Sequence, residues 1–533
     1  MLSFETKTLS VRNSRDYYFL ALEASAELFR QQNTANNLNN VIRFAQQSKA
    51  AVFNEYQRVL QARDSLKLDP RIIYLDDSLK SRKSFLSQRF YELERTDQSN
   101  PNLLASLNTD IIQTHQQIDL LSKEIEATYP VYSQYIQAPK AIPVEVIQSN
   151  LLSNEILIDY TFSTTSLIIL TISQNEAHVR TIPVPENFSL NVKQYRGHLH
   201  LHSGVGFSKF IHLGYDFWQL LIKPIEDLIS GKQLIIIPDG AIGYLPFDTF
   251  VTDSIVPQRK HYNELPLLIK SHTISYLNSI DQFISARHSL QKRPVGIQAF
   301  APFNEEPYIG EELELGVLDG SSKEISKISM LAKVTKHIGA KATKKAFQKN
   351  ISSSDIIHLA THGILSSGNP MNNRILFHQT NTDTDIHLYE VLNMTINSSL
   401  VVLSACETGS GDLQEGEGIM SLTRGFHYAG TPALIMSLWP AFDTPSIQIM
   451  EGFYRELAKG SKIADALRTS KLEYLDQAKS SESQPGLWAN YQLSGVNNEL
   501  PLKHKMNWIV WIGVIIMLIT VYCVAKRVKG KGK

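Results

Sequence analysis

The chain has very few cysteines and none of the common metal or nucleotide motifs. Its 533 residues include only Cys406 and Cys523, which excludes a disulfide framework within the chain. There is no CxxC pair and no HExxH motif, and the 16 histidines are scattered, which argues against a metal site. A Walker loop and a GxSxG elbow are also absent. We therefore predict no metal and no cofactor.

An excess of charge of either sign is also lacking. The 52 basic and 52 acidic residues cancel, and no basic stripe runs through the chain before its C-terminal tail. This balance argues against binding to nucleic acid. A hydrophobic content of 43% is ordinary for a globular protein, and the length allows two or more domains.

A histidine and a cysteine stand in equivalent places after two short apolar runs. His362 follows the run 356–361, Cys406 follows the run 400–405, and each is succeeded by a glycine, Gly363 or Gly409. Ligands of open α/β sheets bind outside the carboxyl ends of the strands, so parallel neighbours would bring both side chains to one edge. An imidazole can take the proton of a thiol and pass it to a leaving amine. The pattern therefore favours a cysteine nucleophile.

A structural role is the alternative for each of these residues. A free cysteine or a single histidine is most often a buried core residue, and we interpret the mid-strand His358 in that way. The paired placement of His362 and Cys406 favours the catalytic interpretation, although spacing alone does not prove contact.

The order of apolar runs predicts the fold class. Continuous runs at 234–238, 356–361, 400–405 and 433–438 alternate with helical segments, which is typical of an α/β, doubly wound and mainly parallel sheet. Two β-rich runs at 156–161 and 167–172, separated by a short polar turn, predict a hairpin before them.

Residues 1–135 are predicted to be helical. Amphipathic stretches at 17–30 and 38–60 predict one helical hairpin, and stretches at 72–95 and 103–127 predict a second. In the last helix, apolar residues recur at spacings of three, four and seven and share one stripe: Leu104, Leu107, Ile111, Ile118, Leu121 and Ile125. This stripe could bind a protein partner, but packing within the helical region is the default interpretation.

The C-terminal segment 508–525 has no charged residue, and as a helix it would be about 27 Å long, enough to cross a bilayer. A basic tail, 526–533, follows it. We therefore expect a single-pass transmembrane helix over a buried core helix. The positive-inside rule would put the tail in the cytoplasm and the enzyme outside, whereas the missing signal peptide would keep the bulk of the chain in the cytosol. The orientation stays open, as does the possibility that the chain is part of a longer protein.

Several further motifs carry a family resemblance, and they occur in the family's order. They are 235–240 (IIIPDG), 244–247 (YLPF), 321–325 (SSKEI), 342–343 (AT), 416–419 (GEGI), 424–430 (RGFHYAG) and 438–440 (LWP). With the His–Cys pair, this ordered set resembles the CHAT family of caspase-like proteases, which are related to separase and often preceded by tetratricopeptide repeats. The resemblance covers roughly 146–500, and the helices before it resemble a tetratricopeptide-like remnant.

The resemblance also implies roles for individual residues. His362 would be the general base, Cys406 the nucleophile, and the amides of Gly363 and Cys406 the oxyanion hole. Arginine-specific relatives such as metacaspases carry an aspartate two residues before the nucleophile, whereas this chain has Ser404, so that position does not support a basic P1 residue. Asp443 could line the substrate pocket with Ser404, but we prefer to interpret it as the N-cap of a helix starting near residue 445.

Together these predictions describe four segments: a tetratricopeptide-like helical region (1–135), a CHAT caspase-like protease domain (146–500), a transmembrane helix (508–525) and a basic tail (526–533). The predicted function is a membrane-anchored cysteine endopeptidase that cleaves a protein substrate and is regulated by its helical region or a partner. The alternative is a catalytically silent, membrane-bound scaffold or signalling adaptor, because a fold does not by itself imply activity.

Overall fold

The computed structural model describes most of the chain up to residue 503. It covers 4–503 except for 50–52, 55–57, 60–61, 64, 95–100, 133–141, 164, 201–203, 256–260, 289–294, 311–312, 352–353, 367–369, 380–384, 405–408, 410 and 415–417.

Two helical hairpins precede the sheet, as the sequence predicts. The first helix, α1, ends at Gln31, and α2 begins at Ala35 after Thr34, whose side chain accepts a hydrogen bond from the Asn37 amide as an N-cap. Helices occur at α1 Phe4–Gln31, α2 Ala35–Gln47, α3 Pro70–Glu94, α4 Pro101–Thr128, α5 Val144–Asn150, α6 Phe188–His198, α7 Gly204–Leu221, α8 Glu226–Ile229, α9 Ile280–His288, α10 Asp319–Leu331, α11 Lys344–Ile351, α12 Leu388–Val391, α13 Leu422–Tyr428, α14 Asp443–Ala458, α15 Ile463–Gln477 and α16 Pro485–Trp488.

The apolar stripe of α4 packs mainly inside the helical region. Leu121 and Ile125 are buried in a small core with Ala62, Leu68 and Tyr132. The C-terminal half of the stripe therefore packs within the helical region, as the default interpretation expects.

A large sheet forms the centre of the molecule. Strands occur at β1 Glu155–Phe162, β2 Ser166–Ser173, β3 Ala177–Pro183, β4 Gln233–Ile237, β5 Ile274–Tyr276, β6 Ile297–Ala301, β7 Tyr308–Ile309, β8 Glu314–Leu315, β9 Val334–Ile338, β10 Ile356–Leu359, β11 Gly363–Ile364, β12 Arg374–Leu376, β13 Asp385–His387, β14 Leu400–Leu403, β15 Asp412–Gln414, β16 Gly418–Met420, β17 Ala433–Ser437 and β18 Tyr491–Gly495. Eleven of these form one sheet, in the order β3-β2-β1-β4-β5-β18-β17-β14-β10-β6-β9. Both faces are covered, and every residue of β4, β10, β14 and β17 is buried.

The sheet is mixed. Seven of its ten neighbouring strand pairs are parallel, so it is mainly parallel as predicted, but three pairs are antiparallel and the sheet reverses direction at its centre. One parallel block, β1-β4-β5-β18, runs opposite to a second parallel block, β17-β14-β10-β6-β9, and they meet at the antiparallel pair β17-β18. The hairpin β1-β2 and strand β3 are also antiparallel. A continuous apolar run indicates that a strand is buried on both faces, but it carries no information about direction.

The expectation of a transmembrane helix is also corrected. Across the parts of 4–503 that the structure describes, no helix is long and apolar enough to cross a membrane. The longest helices, α1 and α4, have 28 residues each but carry polar and charged residues along their length, as helices with one buried stripe do. Residues 508–525, on which the expectation was based, lie outside the described residues.

The helical region makes buried polar and aromatic contacts with the sheet and its covering helices. Lys49 forms a buried ion pair with Asp159 of β1 and donates a hydrogen bond of 2.7 Å to the Tyr160 carbonyl. Phe53 is fully buried, with its ring 4.9 Å from that of Tyr428 in α13 and edge-on to it. The two parts of the chain therefore share interior contacts.

Candidate active site

Two adjacent parallel strands lead to the predicted dyad. In the β10-β14 pair, Ile356 is paired with Leu400 and Leu359 with Leu403, so both strands end at the same level and the same edge. His362 comes three residues after β10. Ser404 directly follows β14, and Cys406, two residues further on, lies outside the described residues. The strand arrangement that the sequence argument required is therefore present.

His362 is held in a defined orientation. Its side chain is 8% exposed, its ring lies 5.3 Å from that of Phe303, and its Nε2 is 2.8 Å from the Gly316 carbonyl oxygen. A carbonyl only accepts hydrogen bonds, so Nε2 carries the proton and Nδ1 has the free lone pair. The Gly316 contact thus fixes both the tautomer and the direction of the ring.

Burial also affects the basicity of His362. Removal from water lowers the pKa of His362 below its ordinary value, and the hydrogen bond to Gly316 opposes this effect only in part. The imidazole is therefore neutral at physiological pH and has a lone pair available to take a proton.

The amide of Gly363 is directed away from its neighbouring strand. Gly363 pairs with Ile375 in the antiparallel ladder β11-β12, and the Leu376 amide donates to the His362 carbonyl across the same ladder. Bonded and non-bonded pairs alternate in such a ladder, so the Gly363–Ile375 pair is of the non-bonded type. This geometry leaves the Gly363 N–H outside the ladder, as an oxyanion donor needs to be.

The segment after Cys406 is anchored at Gly409. The Gly409 amide donates a 2.8 Å hydrogen bond to the Ser437 carbonyl at the end of β17. A Cβ at position 409 would lie 2.7 Å from Met436 Sδ, so a side chain here would displace Met436. Two residues on, the Tyr244 hydroxyl donates to the Gly411 carbonyl at 2.6 Å.

A small cavity that opens to solvent lies beside these strand ends, and both predicted pocket residues line it. Ser404 shares a 2.9 Å hydrogen bond with the Tyr491 hydroxyl. Asp443 is the first residue of α14, and the N-cap residue is Phe442, which makes no side-chain cap hydrogen bond. Our preferred interpretation of Asp443 as the N-cap is therefore wrong. Thr361, next to His362, lines the same cavity.

Sequence reasoning missed Glu324, the other carboxylate of this cavity. Glu324 lies on α10, is 4% exposed and reaches Ser404, whose hydroxyl is 3.4 Å from Glu324 Oε2. Its Oε1 is 2.8 Å from Nε2 of the fully buried His358, although the two atoms lack hydrogen-bond geometry. Two signals were present in the sequence: Glu324 belongs to the motif 321–325, and it lies on the buried face of an amphipathic helix with Ser321, Ile325 and Ile328.

Comparison with known proteins gives one family match and two relatives of the same name. The model of the CHAT domain matches residues 212–496. Tetratricopeptide repeat protein 28 of Mus musculus is 23% identical over 219 residues, which are 35% of this chain and 9% of the relative. The protein of the same name from Homo sapiens is 24% identical over 334 residues, 53% of this chain and 13% of the relative. The chain therefore spans only about a tenth of the length of these relatives.

Among solved structures, similarity was found to two crystal structures of the Saccharomyces cerevisiae separase–securin complex, at 3.0 and 2.6 Å resolution. The TM-scores are 0.40 and 0.41, each with 10% sequence identity over 86% of this chain and 40% of the matched chain.

Proposed function

Because the chain belongs to the CHAT domain family and carries a tetratricopeptide-like helical region, we propose that it is a cysteine endopeptidase that uses His362 and Cys406. The family match shows a caspase-like protease fold, and peptidase activity is what the proposal adds. The observation that carries it is the parallel β10-β14 pair, whose strands end at one level, three residues before His362 and three before Cys406.

The proposed reaction is acyl transfer through a thioester. Nδ1 of His362 accepts the thiol proton of Cys406, and the sulfur attacks the carbonyl carbon of the scissile peptide bond. The amides of Gly363 and Cys406 stabilise the oxyanion, and His362 gives its proton to the leaving amine. Water then hydrolyses the thioester, with His362 as the base. Ser404 and Asp443 line the pocket for the substrate side chain.

The helical region is the proposed source of regulation, either by itself or through a protein partner bound to its helices. Lys49 and Gly409 line a second cavity that opens to solvent, so the helical region adjoins the segment that follows Cys406. A change in the position of Lys49 would therefore alter the cavity that the segment after Cys406 also lines.

The first test is the mapping of cleavage sites by N-terminal labelling in cells that contain the wild-type protein or Cys406→Ala. We expect new termini that depend on Cys406. Cys523→Ala is the matched control, because it removes the only other thiol and should leave the cleavage pattern unchanged.

A thiol-directed probe tests the dyad without a known substrate. Cys406 should be alkylated faster near neutral pH than an ordinary thiol, and His362→Ala should slow it, because the imidazole takes the thiol proton. Equal rates in the two proteins, together with an unchanged set of termini, would exclude the peptidase and favour a catalytically silent scaffold.

A further inference from the structure

A local excess of positive charge lies at one edge of the central sheet, although the chain as a whole is neutral. Residues 323–349 contain eight lysines and one acidic residue, Glu324, which is buried. They form most of α10, the edge strand β9 and most of α11. The equal totals of basic and acidic residues therefore conceal a basic surface, which corrects the expectation that no basic stripe precedes the C-terminal tail.

Most of these lysines have no compensating charge. Five of them are exposed and form no ion pair within the described residues, and we call them the lysine face: Lys333, Lys336, Lys341, Lys345 and Lys349. By contrast, Lys327 is paired with Glu451, and the buried Lys344 is paired with Glu390. The ammonium groups of the lysine face are therefore available to carboxylates of a binding partner.

The stability of the fold does not explain this arrangement. A lysine on an edge strand discourages pairing with other sheets, which accounts for Lys336 alone, because the other four lie outside β9. Lys345 and Lys349 are one turn apart on α11, where like charges repel and destabilise a helix. This repulsion is relieved when a negatively charged partner binds between or beside them.

The lysine face surrounds an open strand edge. β9 is the last strand of the large sheet, and among the described strands it pairs with β6 alone. The Lys333 carbonyl accepts a hydrogen bond from the Ile297 amide at the start of β6. Backbone groups of a parallel strand turn alternately to its two sides, so those of Val334, Lys336 and Ile338 face away from β6. This edge of the sheet can therefore accept a further strand.

A strand added there would have lysines beside both of its faces. Lys336 and His337 are consecutive in β9, so their side chains project from opposite faces of the sheet. The His337 ring is stacked on Phe300 at 4.3 Å, and Phe347 of α11 packs on the same ring. The face of His337 is therefore the one that α11 covers, with its two lysines, while Lys336 lies on the other face.

We propose that β9 and the lysine face bind an acidic segment of a protein partner, which joins the sheet as an additional edge strand. Main-chain hydrogen bonds provide affinity in such strand addition, and side-chain contacts provide selectivity. An acidic side chain opposite Lys336 turns a repulsive edge into an attractive one, because opposite charges across a strand pair stabilise it. The proposal does not rest on the peptidase function.

A protein segment fits this surface better than nucleic acid or the end of the chain itself. Proteins that bind single-stranded nucleic acid stack the bases on aromatic side chains. All residues of β9 and α11 are described, and none of their exposed side chains is aromatic. Residues 504–533 contain no aspartate or glutamate, so their charge does not complement the lysine face.

The binding test uses fluorescein-labelled peptides of about ten residues, the length of a long strand, with the full-length protein. One peptide alternates Glu with Thr, and the other has Gln in place of every Glu. Fluorescence anisotropy should show that the Glu peptide binds about 10-fold or more tightly at low salt, because each exposed charge pair contributes modestly and several act together. The preference should shrink as the ionic strength rises, since salt screens exposed charges.

Hydrogen exchange measured by mass spectrometry tests whether the peptide joins the sheet. The amides of Val334, Lys336 and Ile338 face the open edge, so they should exchange more slowly when the Glu peptide is bound. The amides of Thr335 and His337 face β6 and should change little. This pattern is specific to strand addition.

Paired substitutions test the contribution of the lysine face. Lys345→Gln/Lys349→Gln should weaken binding of the Glu peptide by about 2- to 25-fold, as expected for two exposed charge pairs, without changing the affinity for the Gln peptide. The matched control is Lys123→Gln/Lys193→Gln, which removes the same charge from exposed positions on α4 and α6 and should leave both affinities unchanged. The urea midpoint of the first variant should not fall, because it removes a repulsive pair.

Several outcomes would overturn the proposal. Equal affinities for the two peptides, or binding of neither, would show that the lysine face does not select an acidic segment. Unchanged exchange of the β9 amides with the Glu peptide bound would show that the peptide does not join the sheet. A thymidine oligonucleotide of similar length that binds as tightly as the Glu peptide would identify a general polyanion surface instead.

Discussion

The buried Lys49–Asp159 pair connects the helical region to the first strand of the sheet, and it gives a quantitative test of that connection. The two side chains are 6% and 2% exposed. Lys49→Met keeps most of the aliphatic stem but removes the ammonium group, which leaves the Asp159 carboxylate buried with a 3.0 Å hydrogen bond from Thr161. Removal of one partner of a buried pair typically destabilises a protein by about 3–5 kcal/mol. We expect a loss within this range.

A double-mutant cycle separates the pair from the individual side chains. Asp159→Asn leaves the Lys49 ammonium with the Tyr160 carbonyl as a partner, so this variant should also be strongly destabilised. The double variant buries no charge, and the replacement of a buried pair by uncharged groups is often nearly neutral. We therefore expect the double variant to recover most of the loss, so that its destabilisation is far smaller than the sum of the two single losses.

The assay is urea unfolding of the full chain, followed by tryptophan fluorescence. Trp218 and Trp488 are buried in the main core and report on the sheet. Lys223→Met is the control, because Lys223 and its partner Glu226 are each 49% exposed and such pairs contribute about 0–1 kcal/mol. The reasoning is refuted if Lys49→Met is no less stable than this control, or if the double variant is as unstable as the single ones.

Two further predictions concern the dyad and its anchoring segment. On the acid side, kcat/KM should fall only below the ordinary histidine pKa, because burial lowers the pKa of His362. The same shift affects stability: on acidification the unfolded chain binds the extra proton before the folded chain does. The contribution of His362 to stability is therefore full at neutral pH and is lost as the pH falls from its unfolded to its folded pKa. A fall in kcat/KM above the ordinary value, or one that persists in His362→Gln, would contradict this. Gly409→Ala should slow alkylation of Cys406 several-fold, since overpacking against Met436 destabilises by about 1–3 kcal/mol, and Met436→Ala should restore the rate. An unchanged rate in Gly409→Ala would exclude this role of the anchor.

The strands around the dyad could be predicted because they are buried on both faces. The apolar runs 356–361 and 400–405 contain β10 and β14, and the run 433–438 contains β17. Strands covered by helices on both sides need an apolar residue at every position, so the run itself is visible in the sequence. The hairpin β1-β2 was predicted in the same way, from two β-rich runs and a polar turn.

The direction of the strands could not be predicted in this way. β18 separates the two parallel blocks and is buried along its whole length, yet its sequence includes Gln492 and Ser494 and does not form an apolar run. Its polar side chains are satisfied by distant residues: Gln492 contacts the Tyr276 hydroxyl and Ser494 contacts His427. A buried strand whose polar side chains are satisfied by distant partners shows no apolar run in the sequence, so it cannot be recognised there.

The sequence by itself determined the order of strands and helices, the His–Cys pair and the likeness to a family, because each of these is a local pattern or an ordered set of local patterns. Only the tertiary structure decided which groups surround the pair. Gly316 orients His362 from 46 residues away, and Glu324 reaches Ser404 from 80 residues away. The fold places α10 and the segment before it against α14 and β6, and contacts over such separations are set by packing rather than by any spacing along the chain.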